Sequence, residues 1–142
     1  MDNTATLLGE DYRVKAERGM HEEVYKLLAS PNAKDIEQMP FLTLKDTFMW
    51  AFSLGVQAGK RTPLEGPKEG IFWFYQFSKD IDLVCLKMVG LSETEDVTIL
   101  VREDEIMAMA EEYANTGIRI LMDKLVGQNG DPLWNLVNMV KE

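Results

Sequence analysis

An apolar segment in the first half of the chain constrains the fold more than any other feature. In residues 41–62, FLTLKDTFMWAFSLGVQAGKRT, large apolar side chains recur at steps of three and four residues, which predicts a helix. Polar side chains occupy only a thin strip of this helix, so we expect other elements to surround it on most sides. Thr43 is the predicted N-cap, Gly59 suits the C-terminal end, and Pro63 prevents continuation.

Size and composition fit one globular domain over residues 1–142, because 46% of the residues are hydrophobic and 27% are charged. No uninterrupted apolar run approaches the roughly 20 residues that span a bilayer, so we expect no membrane contact. Cys85 is the single cysteine, which excludes an internal disulfide. The first residues lack a basic segment followed by an apolar run, so we expect a cytoplasmic protein.

The net charge of −9 is unevenly distributed along the chain. Residues 1–62 carry 8 basic and 9 acidic side chains, whereas residues 63–142 carry 7 and 15. The acidic second half repels phosphate, which disfavours non-specific nucleic-acid binding there. The first half is nearly neutral and could still present a local basic patch.

Hydrophobic periodicity predicts a mainly α-helical fold with little strand. Residues 1–10 are expected to form a flexible lead-in, and residues 62–70, with two prolines and two glycines, a mobile loop. The alternation in residues 12–16 predicts a short strand. Helices are predicted over residues 17–29, 78–91, 103–126 and 132–140, and a short helix over residues 97–101, for which a strand is the alternative.

The inward faces of these helices follow from the spacing of their apolar side chains. Ser92 and Glu95 have the form of a capping box before the short helix. Gly117, on the inner stripe of the long helix, predicts close packing of another backbone. The residues expected to face inward on the three other helices are Val24, Leu27 and Leu28; Ile81, Val84, Cys85 and Met88; and Leu133, Leu136, Val137 and Val140.

Residue chemistry gives no catalytic motif. His21 and Cys85, the single histidine and cysteine, are too few for a zinc site, and a buried thiol would be inert as a nucleophile. Acidic clusters at residues 93–96, 103–105 and 111–112 are interpreted as solvated faces and helix-start charges rather than a metal site. We therefore expect a protein without a cofactor and without enzymatic activity.

The N-terminal third matches the order of a ribbon–helix–helix DNA-binding unit, in which strands from two subunits enter the major groove. Arg13 and Lys15 would then read the bases, and Thr43 with Lys45 would contact phosphate at the start of the second helix. The long connection between the two helices and the acidic second half argue against this alternative.

Residues 71–77, IFWFYQF, form the densest aromatic cluster, and their periodicity does not decide between strand and helix. Full burial of so many aromatic side chains requires a path through the core, so one interpretation is a partner-binding surface that includes Trp73, Tyr75 and Phe77. The other interpretation is a core segment packed on the central helix. Tyr113 and Asn115 are a further candidate contact pair, with packing as their alternative role.

Two stretches resemble a known family. Residues 43–46 (TLKD) with 55–64 (GVQAGKRTPL), and residues 111–117 (EEYANTG) with 118–121, are similar to the small accessory proteins of bacterial DNA-phosphorothioation (Dnd) gene clusters. The resemblance covers roughly residues 12–125 and leaves out the last helix. It implies a role in anti-phage defence beside larger ATPase and nuclease proteins and gives no catalytic residues. We therefore expect an accessory or adaptor subunit that acts through protein contacts, with homo-oligomers left open.

Overall fold

The computed structural model describes residues 5–141, apart from the side chain of Ala33, and confirms a compact, mainly α-helical fold that is 60% helical. The elements, in chain order, are β1 (Arg13–Glu17), α1 (Arg18–Met20), a π-helical turn (His21–Tyr25), α2 (Lys26–Leu28), a 3-10 turn (Ala33–Asp35), α3 (Leu44–Ala58), β2 (Lys68–Trp73), a 3-10 turn (Phe74–Gln76), α4 (Asp82–Thr94), a 3-10 helix (Val97–Val101), α5 (Glu103–Leu125) and α6 (Pro132–Lys141).

The core is built on the crossing of α3 and α5. Gly117 lies against the backbone of Ala51, and Gly55 lies against the backbone of Tyr113. The two helices are therefore antiparallel where they touch, and a side chain at either glycine would overlap the opposite backbone. The close packing predicted for Gly117 is confirmed.

The central helix α3 begins and ends as predicted. The Thr43 hydroxyl accepts a hydrogen bond from the Asp46 amide at 3.1 Å, and Gly59 closes the helix with φ 69°. Its buried face is narrower than expected, because Trp50 remains 37% exposed and Met49 and Leu54 are only partly buried. One face of α3 is thus in the core, and the opposite face reaches the surface.

The predicted N-terminal strand is confirmed as β1, which pairs antiparallel with β2. Arg13 pairs with Trp73 and Glu17 with Lys68, with an irregularity between Val14 and Lys15. The undecided segment 71–77 contains both the end of β2 and the following 3-10 turn. The short helix predicted for residues 97–101 is confirmed in the 3-10 form, and the strand alternative is wrong.

The largest error in the predicted inward faces concerns α4. Ile81, Val84, Cys85 and Met88 lie outside, whereas Leu86 is fully buried. Apolar residues occur all round this helix, so their spacing does not identify the inner side. The face that contains Gly90 packs on α5, because the missing side chain leaves room for Ile106.

Smaller corrections concern individual side chains and one cap. Leu27 is 52% exposed and Val140 62% exposed, so neither faces the core. Ser92 lies in the last turn of α4, and Glu95 caps the C-terminal end of this helix with φ 56°. Asp96 caps the 3-10 helix instead, because its carboxylate accepts a hydrogen bond from the Thr98 amide at 3.0 Å. The predicted capping box is therefore wrong.

Two segments predicted to be mobile are held by hydrogen bonds. Of the lead-in 1–10, residues 1–4 lie outside the described residues, but Thr6 bonds through its backbone to Val101 and Glu103 at 2.8 and 2.9 Å. In the loop 62–70, the Thr62 amide donates to the Glu112 carbonyl at 3.1 Å. The last residues of that loop belong to β2. Both segments therefore contact α5 or the 3-10 helix before it through their backbone, and their mobility stays a prediction.

Candidate partner-binding surface

The end of β2 separates outward-facing from inward-facing aromatic side chains. Phe72 and Phe74 are buried, whereas Trp73 is 37% exposed and Tyr75 is 62% exposed. The 3-10 turn keeps this alternation, because the Trp73 amide donates to the side-chain oxygen of Gln76 at 2.9 Å. The result is an exposed aromatic pair at the end of β2.

Trp73 and Tyr75 form a stack with a cation above it. Their ring centroids are 6.3 Å apart with an interplanar angle of 17°, and the Arg13 guanidinium carbon lies 5.0 Å from the Trp73 ring centroid. Arg13 reaches this position because it is the strand partner of Trp73. We call Arg13, Trp73 and Tyr75 the aromatic surface. The cation–π contact and the ring stack connect its three side chains.

A second cation–aromatic pair adjoins β1. The Lys15 ammonium lies 4.4 Å from the Tyr12 ring centroid, and the Tyr12 hydroxyl donates to Glu111 Oε2 at 2.7 Å. The Lys15 amide donates to the same oxygen at 3.0 Å. Burial raises the pKa of the Glu111 carboxyl despite these hydrogen bonds. Burial, with help from the neighbouring Glu111 charge, also raises the pKa of Tyr12.

Phe77 does not belong to the aromatic surface, contrary to the prediction. It is 3% exposed and packs with its ring centroid 6.0 Å from Phe48, 5.2 Å from Phe72 and 5.7 Å from Phe74. The segment 71–77 is therefore split between the two interpretations, because only alternate side chains can reach the surface from one strand. Phe77 is a core residue.

Asn115 is also an interior residue, 3% exposed, and belongs to a polar network. Its side-chain amide donates to Glu17 Oε2 at 2.9 Å and to the Thr62 carbonyl at 3.1 Å. Arg119 donates to Glu17 Oε1 at 2.8 Å and to Asn115 Oδ1 at 2.6 Å. Burial opposes the charge on Glu17, but hydrogen bonds from the Glu65 amide, Asn115 and Arg119 outweigh it and lower the Glu17 pKa. A partner-binding role for Asn115 is therefore wrong.

Tyr113 is half-buried and lies on a different side of α5 from the buried Asn115. Its ring contacts Phe52 at 6.1 Å between centroids, and its hydroxyl donates to Glu93 Oε2 at 3.2 Å. Arg61 lies 6.0 Å from the ring centroid and pairs with Glu93 and Glu112 at 3.0 Å each. These contacts give Tyr113 a role in joining α5 to α4 and to the chain after α3.

The four residues of the DNA-binding alternative are not assembled as a ribbon–helix–helix requires. The partner strand of β1 is β2 of the same chain, not a second subunit's strand. Lys45 forms an ion pair with Asp82 at 2.8 Å, and the Thr43 hydroxyl caps α3. Arg13 and Lys15 lie over Trp73 and Tyr12. Within this chain β1 therefore pairs differently from the strand of a ribbon–helix–helix, and DNA binding by these residues stays a prediction.

His21 and Cys85 occupy different environments. Cys85 is exposed on α4, contrary to the predicted burial, and His21 is 9% exposed in the π-helical turn. Burial lowers the His21 pKa, with a further contribution from Lys26, which favours the neutral imidazole. In the part of the chain that the structure describes, no group of histidine, cysteine and carboxylate side chains is placed to hold a metal ion. No helix in this part is long and apolar enough to cross a membrane.

The chain is a small, mainly α-helical protein with an exposed aromatic surface at the end of its strand pair. The chain belongs to the family described as DNA sulphur modification system-associated protein 4, whose profile matches residues 13–142. The match confirms the resemblance to Dnd-associated proteins and extends it through α6, which the sequence comparison had left out. No curated protein and no solved structure gives a match.

Proposed function

We propose that this protein is a non-enzymatic adaptor of a DNA sulphur modification system and that it binds a larger protein subunit through the aromatic surface. The observation that carries the proposal is the exposed stack of Trp73 and Tyr75 beneath the Arg13 guanidinium. Tryptophan, tyrosine and arginine are the residues that most often dominate binding energy at protein interfaces. The family assignment supplies the system in which the partner is sought.

The contacts of the aromatic surface indicate the chemistry of its partner. Trp73 and Tyr75 offer flat apolar faces, and Arg13 offers donors beside them. A complementary site has an apolar groove with a carboxylate at its rim, so that the guanidinium stays paired as water leaves. We infer that this site belongs to an ATPase or nuclease subunit, that the complex acts in anti-phage defence, and that it works in the cytoplasm.

The acidic clusters support an adaptor over a metal-dependent nuclease. Glu103 pairs with Lys87 at 3.0 Å and accepts from the Leu8 amide at 3.0 Å. Several other carboxylates of these clusters also have protein partners: Glu93 and Glu112 bind Arg61, Glu105 pairs with Arg102, and Glu111 binds Tyr12. Carboxylates that are paired in this way have a structural role in the folded protein.

The test compares two exposed tryptophans on different elements. Trp73→Ala removes the centre of the aromatic surface, whereas Trp134→Ala removes a 54% exposed tryptophan on α6. Tagged wild-type protein and both variants are purified from the native host, and bound proteins are identified by mass spectrometry. We expect a subunit of the modification system with wild-type protein and Trp134→Ala, and its loss with Trp73→Ala.

Retention of that subunit by a folded Trp73→Ala variant would contradict the aromatic surface as the binding site. Failure of wild-type protein to retain any subunit of the system would contradict the adaptor role. Nucleic acid in the purified wild-type complex that persists without protein subunits would favour the DNA-binding alternative instead. Circular dichroism on each variant confirms that the comparison is made between folded proteins.

A further inference from the structure

A β-bulge lies in β2 beside the aromatic surface. Two steps along β1, from Arg13 to Lys15, correspond to three steps along β2, from Trp73 to Gly70. Residues 71–72, which lie between them, are both buried, whereas a regular strand turns consecutive side chains to opposite faces. The bulge therefore places Gly70 and Trp73 on the same outer side of the sheet, where the Arg13 side chain lies.

The side chain of Arg13 crosses Gly70 before its guanidinium reaches Trp73. The position that a β-carbon on Gly70 would occupy lies 2.9 Å from Arg13 Cβ, 3.1 Å from its Cδ and 3.0 Å from its Nε. All three distances are shorter than the optimal separation of non-bonded atoms, about 3.5–4.0 Å. A side chain at position 70 would therefore displace Arg13 from its path across the strand.

Space, rather than backbone conformation, explains the glycine at this position. Gly59 and Gly66 have φ values of 69° and 73°, which favour glycine, whereas the φ of Gly70 lies outside this left-handed region. Glycine within a strand weakens the strand, and it often marks a bulge or a close approach. Both occur here, since the bulge brings Gly70 against the Arg13 side chain.

The guanidinium over Trp73 keeps its hydrogen-bond donors. Among the residues that the structure describes, none forms an ion pair with Arg13 or accepts a hydrogen bond from its side chain. Glu69, the chain neighbour of Gly70, is paired with Arg18 at 3.4 Å instead. A planar guanidinium with unused donors beside an aromatic ring is suited to bind a carboxylate.

We propose that Gly70 is a positioning residue that keeps the Arg13 guanidinium over Trp73, and that Arg13 in this position selects a partner segment with a carboxylate beside an apolar side chain. The choice of partner rests on the proposed function, whereas the position of Arg13 is a property of the free protein. Trp73 and Tyr75 take the apolar side chain, and the carboxylate accepts from Arg13. A segment without a carboxylate leaves the guanidinium unpaired as water is expelled, which lowers affinity.

The first experiment uses NMR on the free protein. In wild-type protein we expect nuclear Overhauser contacts between the α protons of Gly70 and the methylene protons of Arg13. The Arg13 protons should also show an upfield ring-current shift that disappears in Trp73→Ala. Gly70→Ala should remove most of this shift, whereas Gly19→Ala should keep it, because no atom lies within 4 Å of the methyl group added there.

Two results would overturn the positioning role of Gly70. One is an unchanged Arg13 shift in a folded Gly70→Ala variant. The other is the absence of contacts between Gly70 and Arg13 in wild-type protein, a measurement that needs no variant and decides the matter if Gly70→Ala fails to fold.

The second experiment measures affinity for the subunit that co-purifies with wild-type protein, at several salt concentrations. Arg13→Ala should weaken binding about tenfold or more and flatten its salt dependence, and Gly70→Ala should reproduce part of both effects. Arg13→Lys keeps the charge but loses the planar fork, so its affinity should lie between wild-type protein and Arg13→Ala. Lys124→Ala, at an exposed position on α5, changes the net charge equally and should bind like wild-type protein.

The outcomes separate this inference from the adaptor proposal. Wild-type affinity in Arg13→Ala, with loss of binding in Trp73→Ala, would overturn carboxylate selection and leave the aromatic surface as the binding site. Retention of nucleic acid in place of a protein subunit would also overturn it. Failure of wild-type protein to retain any subunit would contradict the adaptor proposal and the selection by Arg13, while the NMR result would still decide the role of Gly70.

Discussion

Gly117 packs directly against the backbone of Ala51, so that α5 and α3 touch without a side chain between them. Gly55 makes the reciprocal approach to the backbone of Tyr113 from the other helix. The two glycines set the distance between the longest helix and the central helix. Both strands and α4 attach to this pair, so the position of the aromatic surface depends on it indirectly.

The first prediction follows from this contact. Gly117→Ala places a methyl group where the Ala51 carbonyl lies, and the helices must separate. We expect a loss of at least about 1–3 kcal/mol in the free energy of unfolding, the usual result of overpacking. Urea denaturation followed by circular dichroism measures it. Gly19→Ala is the control, because no atom lies within 4 Å of the added methyl group and Gly19 is exposed in α1.

Gly19→Ala should leave stability unchanged or raise it by up to about 1 kcal/mol, since alanine is the better helix former. Equal stability of Gly117→Ala and wild-type protein would contradict the close approach of α3 and α5.

Local signals in the sequence predict much of this fold. The cap at Thr43, the stop at Gly59 and the close approach at Gly117 each follow from chemistry within a few residues, and the structure has all three. The inner side of α4 does not follow in this way, because apolar side chains surround that helix. Its orientation is decided by Gly90 meeting Ile106, a contact between distant parts of the chain.

Part of the candidate site was also predictable from local signals in the sequence. The aromatic segment was evident from composition, and strand alternation allowed Trp73 and Tyr75 to share one side. Their pairing with Arg13 depends on the register between β1 and β2, which sequence alone does not give. Asn115 looked like a surface residue because its partner Glu17 lies far away along the chain. No pattern in the sequence around Asn115 predicts that hydrogen-bond network.

The second prediction separates the two roles within the aromatic segment. Phe77→Ala should lower the free energy of unfolding by about 3–5 kcal/mol, because the ring is buried among three other phenylalanines. Trp73→Ala should cost less than about 1.5 kcal/mol, since that ring is partly exposed and its loss mainly removes the stack with Tyr75 and the contact with Arg13. Thermal and urea unfolding measure both. Equal losses would mean that Trp73 is part of the core.

The third prediction concerns the buried carboxylate of Glu17. In Glu17→Gln an NH2 group replaces one of the two carboxylate oxygens. That group cannot accept a hydrogen bond, and it then faces the donor of Arg119 or the donors of Asn115 and the Glu65 amide. We expect Glu17→Gln to lose about 1.5–3 kcal/mol at neutral pH, the range for hydrogen bonds to a charged group. Glu69→Gln is the control, because its ion pair with Arg18 is exposed, and it should cost less than about 1 kcal/mol.

The pH dependence gives a second measurement on the same variant. The pKa of Glu17 is lower in the folded protein, so its contribution is present above the ordinary carboxyl pKa and is lost as pH falls through the lowered value. The difference in stability between wild-type protein and Glu17→Gln should therefore shrink as the solution is acidified. A difference that stays constant with pH would contradict a charged Glu17 in the network.

The last prediction has the opposite sign and concerns Glu111. Burial raises the pKa of this carboxyl, so the folded state holds its proton more tightly than the unfolded state. The contribution of Glu111 to stability is then fully present below the ordinary carboxyl pKa and is lost as pH rises through the raised value. Both hydrogen bonds, from the Tyr12 hydroxyl and the Lys15 amide, go to the same oxygen, Oε2. The amide oxygen of a glutamine can accept both and carries no charge to desolvate.

Glu111→Gln should therefore unfold at a higher temperature than wild-type protein at neutral pH, and the gain should diminish on acidification toward the ordinary carboxyl pKa. Thermal unfolding monitored by circular dichroism across a pH series measures both features. Glu23→Gln is the matched control, because it removes one carboxylate from an exposed position and so reports the effect of lowering the net negative charge. A Glu111→Gln variant less stable than wild-type protein at neutral pH would show that the carboxylate charge itself stabilises the contact between β1 and α5.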